Sequence, residues 1–129
     1  MNRAKQRDWV FKIIFENQIK NIDDIDQAII NHDLDLKRDS FLFQSLKSYI
    51  ENFKNIEDIL INQIGLSSLK RLAKVDRAIL FLSVNEMKYL DIPVSVSINE
   101  AVNISKKYST SDGYKFINSV LGKIAEKSN

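Results

Sequence analysis

A chain of 129 residues with no cysteine is long enough to bury its own core, and it has no disulfides or thiolate metal sites to staple it. No apolar run approaches the ~20 residues of a membrane span, and the basic residues near the start lack the apolar stretch of a signal peptide; one domain over residues 1–129, in the cytoplasm, is expected. One proline and three glycines are too few turn formers for a strand-rich domain, and a net charge of +2 excludes little by itself.

The first helix is predicted over residues 3–19. Val10, Ile13 and Ile14 form one apolar stripe, and Phe11, Phe15 and Ile19 a second at i, i+4, i+8. Lys5, Asp8, Lys12, Glu16 and Lys20 fall on the opposite face. One stripe suffices for a core; the second meets another part of the protein or a partner. Arg3, Lys5 and Arg7 stand in the first turns, where the helix dipole disfavours cations. An anionic ligand accounts for them, and so does plain solubility.

A short helix over residues 24–32 follows, within a segment rich in aspartate. A third helix starts near Lys37 and carries Phe41, Leu42, Leu46, Tyr49, Ile50 and Phe53, with Asn55 as its candidate break. The periodicity resumes at Ile56, Ile59, Leu60 and Ile64 and stops at Gly65. Ser67 and Ser68 cap a short turn through Leu69 and Leu72. Residues 74–90 are apolar on nearly every side from Ala78 to Val84, which marks a central, fully buried helix. A buried strand is the rival for residues 78–84, but the charged flanks make the segment too long for one.

Pro93 ends that helix. Residues 94–96 read as an extended link, and Ser97 with Glu100 as a capping box opening a helix over residues 98–108. The last helix, over residues 112–126, carries Ile117, Val120, Leu121 and Ile124 as its buried stripe. The fold class is therefore all-α, with about seven helices.

Catalytic constellations are missing. His32 is the one histidine and stands in an acidic loop, where a surface residue is the plain reading. No glycine-rich phosphate loop or nucleophile motif occurs, and Asp23, Asp24 and Asp26 lack calcium-loop spacing. A binding protein without cofactor or metal is expected, not an enzyme. Phe116 lies one position off the last buried stripe, beside Lys115 and close to Asp112. An aromatic next to a lysine near a helix start can stack an unpaired base and hold a phosphate. Packing against a neighbouring helix is the other reading.

Residues 92–102 (IPVSVSINEAV), 104–108 (ISKKY) and 112–121 (DGYKFINSVL) together resemble the C-terminal signature of the NusB family of bacterial transcription antitermination factors. Residues 74–80 (KVDRAIL) resemble a second family block, and Arg3, Arg7, Asp8 and Phe15 its basic-then-aromatic first helix. The resemblance implies an all-α fold of seven helices in two packed subdomains bridged by the first helix. It implies binding to boxA RNA in nascent ribosomal RNA transcripts together with NusE, a small-subunit ribosomal protein. The pair would join NusA and NusG on RNA polymerase. By matching position, Arg3, Lys5, Arg7, Asp112, Lys115 and Phe116 become RNA contacts, and Phe15, Ile19 and Asp76 the NusE face. Asn99 and Glu100 belong to the signature and read as structural. The same fold acting as a protein-only adaptor, or as a homodimer that hides its RNA face, is the alternative.

Overall fold

The computed structural model describes residues 1–127. Eight helices follow in order: α1 (Arg3–Asn17), α2 (Ile25–Ile30), α3 (Phe41–Glu51), α4 (Phe53–Ile64), α5 (Leu66–Arg71), α6 (Lys74–Tyr89), α7 (Val94–Tyr108) and α8 (Ser111–Glu126). Among the described residues there is no strand, and no helix is long and apolar enough to cross a membrane.

The unbroken apolar run predicted for the centre is α6. Residues 78–86 are all buried, and the helix packs on α1, α3, α4, α7 and α8. Such a helix gains from every side, at about 1.5–3 kcal/mol for each large side chain taken fully out of water. Both stripes of α1 are used. Val10, Ile13 and Ile14 are buried against the core, while Phe11 stacks on Tyr108 of α7 with ring centroids 5.0 Å apart. On its other flank α1 reaches α2, where Trp9 lies 5.0 Å from the His32 ring. His32 Nε2 lies 2.9 Å from Glu16 Oε1. The first helix thus bridges α2 and α3 on one side and α6 and α7 on the other.

Beyond shifts at helix ends, with α1 stopping at Asn17 and α3 starting at Phe41 and not near Lys37, three boundaries differ from the sequence reading. The break in the long apolar segment falls at Asn52, not Asn55: Asn52 ends α3 and precedes α4, with its amide donating back to the Ser48 carbonyl (2.9 Å). The stretch after Gly65 is a helix of its own, α5. Gly65 has φ 86°, the left-handed region that only glycine occupies cheaply, so the chain turns there and restarts.

The third difference concerns α7, which begins at Val94 and has no extended link. Pro93, at φ −54°, already holds the dihedral a helix needs, and its missing N–H would be unpaired there anyway. The first helical bond runs from the Ser97 amide to the Pro93 carbonyl, 3.0 Å. Ser97 is therefore inside the helix, not a cap. It is buried, its hydroxyl donating to the Ser83 carbonyl (3.2 Å) and lying 2.9 Å from the Ser83 hydroxyl. Glu100, freed of any capping role, turns toward α1.

Candidate nucleic-acid interface

The N-terminal cations do not act as one group. Arg3 lies with its guanidinium 4.7 Å from the Phe41 ring, on the α3 side of α1. Lys5 is exposed and lines a groove of about 340 Å³ between α1 and α7, with Asn2, Asn103 and Lys107. Arg7 is only 3% exposed and is not a surface cation. Its Nε donates to Glu86 Oε2 (2.8 Å) and Nη2 to Glu86 Oε1 (3.2 Å), while Nη1 is 3.7 Å from Glu100. Burial raises the Glu86 carboxyl pKa, against the pull of Arg7. The expectation that Arg7 touches an RNA phosphate is therefore corrected: it points inward on the α1 face that packs on α6, and its charge is already used.

At the far end of the interface, α8 is well begun. The Thr110 hydroxyl accepts from the Gly113 amide, 3.1 Å. Asp112, Lys115 and Phe116 are all exposed on its first two turns. Phe116 is 38% exposed, so it is not filling the space between helices. An aromatic face open to solvent, with a cation one residue away, can stack a base and hold its phosphate.

Between these two ends lies α7. It is tied to α1 by a hydrogen bond from the Tyr108 hydroxyl to Asp8 (3.1 Å) and by Lys107 Nζ, 3.5 Å from Asp8. The Tyr108 hydroxyl and Asp8 raise the Lys107 pKa, so it stays cationic. Across α7 a second groove, of about 430 Å³, runs against α8, lined by Ser95, Asn99, Val102, Tyr114, Lys115 and Asn118. Sequence reasoning missed Asn103 and Lys107, which share the exposed face of α7 with Asn99 at helical spacing.

The three residues read as a protein face lie near one another. The Gln18 amide donates to the Lys74 carbonyl, 2.8 Å, which brings the end of α1 alongside the start of α6. Phe15 is half-buried, while Ile19, just past the helix end, is 66% exposed. Asp76 accepts from the Ser109 hydroxyl, 2.6 Å, so one of its oxygens is engaged in holding the α7–α8 loop. Arg77 is likewise structural, donating through Nη2 to the Leu69 carbonyl (2.6 Å) at the end of α5. Among the described residues no cluster of histidine, aspartate and glutamate could hold a metal ion.

With this geometry in hand, the chain matches the NusB family over residues 4–126. It belongs to the NusB family. The transcription antitermination protein NusB of Pseudothermotoga lettingae is 36% identical over 129 residues, covering 96% of this chain and 91% of its own. Among solved structures, T. maritima NusB superimposes with a TM-score of 0.86 at 31% identity, over 98% of this chain and 92% of its own. A second structure, of NusB and NusE in complex with double-stranded RNA, shares the NusB fold: TM-score 0.82 at 20% identity, over 98% of this chain and 99% of that one. The eight helices are thus those of a NusB fold, and α7 and α8 carry the segments whose sequence resembles the family signature.

Proposed function

We propose that this chain is a transcription antitermination factor that binds boxA RNA of nascent ribosomal RNA transcripts together with NusE. The pair would act on RNA polymerase with NusA and NusG. The chain works by binding, without catalysis, cofactor or metal. Phe15 and Ile19, with the free side of Asp76, would meet NusE. Lys5, Lys115 and Phe116, flanked by Asp112, would meet RNA, with Arg3 as an outlying phosphate contact. The observation that carries this reading is Phe116, an aromatic side chain left exposed beside Lys115 at the start of α8 in a chain of the NusB family. A stacked base needs to be unpaired, so the preferred substrate is single-stranded at the contact.

The test is a titration of a labelled boxA single strand, with and without NusE, over a range of salt. Wild type should bind with a log–log salt slope reflecting a few phosphate contacts. Phe116→Ala should lose about 1–3 kcal/mol, the worth of one stacked base. Unchanged affinity in Phe116→Ala would favour a protein-only adaptor.

A further inference from the structure

The two ends of the proposed RNA face, Lys5 on α1 and Lys115 with Phe116 on α8, do not adjoin. Between them stands α7, with one groove on each flank. A strand that touches both ends has to cross the outer face of α7. The 3.6-residue period of α7 sets that face: Asn99, Asn103, Lys106 and Lys107 share it, and all four are exposed. Two amides one turn apart thus occupy its middle, with two cations at its C-terminal end.

Neither amide has structural work to do. Among the described residues the Asn99 and Asn103 side chains take part in no hydrogen bond of the fold, and the capping box that would have explained this turn does not form. The acidic groups beside the face each have a cationic neighbour. Asp8 is paired with Lys12 (3.2 Å) and Lys107 (3.5 Å), and Glu100 lies 3.7 Å from Arg7. Lys106 rests over the Tyr114 ring at 5.3 Å, and Lys107 over Tyr108 at 5.0 Å, so both cations are held along the track.

We infer that the outer face of α7 reads the bases of the RNA, through the Asn99 and Asn103 amides, beside phosphate contacts at Lys106 and Lys107. A carboxamide offers a donor and an acceptor side by side, the pattern that matches a base edge bidentately. In a single strand those edges are free to be read. This rests on the RNA-binding reading above and adds the place where sequence is distinguished.

The experiment uses the full chain bound to NusE and measures anisotropy of a labelled boxA single strand. A panel in which each base is changed in turn, and a scrambled strand, are measured alongside. Asn99→Ala with Asn103→Ala should weaken boxA binding about tenfold or more and flatten the discrimination at the positions those amides read, while melting temperature and salt slope stay put. Asn99→Asp keeps the side-chain shape and removes the donor, so its base preference should change and not merely fade. Lys106→Ala with Lys107→Ala should weaken every strand alike and reduce the salt slope by about one to two. If wild type separates boxA from the scrambled strand and the asparagine variants separate the panel just as well, α7 does not read bases and the inference falls alone. If wild type does not separate boxA from the scrambled strand, the RNA reading falls with it.

Discussion

Arg7 sits where a cation is least welcome, inside the core and near a helix N-terminus. What keeps it there is Glu86, 79 positions along the chain, held through two hydrogen bonds. Taking both charges out of water costs several kcal/mol each, and their attraction roughly repays it when the geometry is good. Removing one partner strands the other, so Arg7→Ala should lose about 3–5 kcal/mol of stability in urea denaturation. A loss under about 1 kcal/mol would mean that water reaches the pair. Arg7→Met combined with Glu86→Leu, which fills the space with apolar atoms, should fall close to wild type or above it. The pH response separates these further. Because burial raises the folded Glu86 pKa above its ordinary 4.5, the unfolded chain releases that proton first. Between the two values the native state holds more protons, so its stability falls as pH rises through that window. The double replacement has no such group and should lack that component of the fall.

At the scale of the helices, the sequence was most legible where the pattern is local. The stop at Gly65 and the all-round apolar α6 could be read from a few neighbouring residues. The start of α7 could not: Ser97 and Glu100 make a sound capping box on paper, and burial of Ser97 against Ser83 overrides it. Nor could the Asn52 break, since the apolar period runs on across it. The α7–α8 corner is where one small residue carries an element. A Cβ on Gly113 would fall 2.1 Å from Ser109 Oγ and 3.3 Å from Asp76 Oδ1, displacing the hydroxyl from its 2.6 Å bond to Asp76. A hydrogen bond to a charged group is worth about 1.5–3 kcal/mol, and the better helix propensity of alanine returns about 1 kcal/mol. Gly113→Ala should therefore cost about 0.5–2 kcal/mol in denaturant. With Ser109→Ala already in place the clashing oxygen is gone, and Gly113→Ala should then be neutral or stabilising. Equal effects in both backgrounds would show that the Ser109–Asp76 bond does not hold the corner.

Over the whole molecule, the candidate site was legible in proportion to how far its residues depend on distant partners. Phe116 and Lys115 could be found from the buried period of α8, which leaves them outside it. Arg7 could not be told from Arg3 and Lys5, because the residue that claims it lies on another helix. Asn103 and Lys107 came into view only once the grooves on its two flanks placed α7 between Lys5 and Phe116. The result is two surfaces on separate elements. One is the end of α1 beside the start of α6; the other runs from Lys5 over α7 to Phe116. If the proposed division of labour is right, the two should fail independently. Ile19 is mostly exposed, so Ile19→Asp should leave helicity and melting unchanged while weakening NusE association at least tenfold, the scale of one apolar anchor lost from an interface. Phe15→Asp should act in the same direction at some cost in stability, since Phe15 is half-buried. Both should retain the RNA affinity that the chain shows without NusE. Phe116→Ala should do the reverse, keeping NusE and losing RNA. Calorimetric titration with NusE and anisotropy with boxA RNA, on the same three variants, decide it. Survival of NusE binding in both aspartate variants, or its loss in Phe116→Ala, would move the protein face to the α8 side and make the two surfaces one.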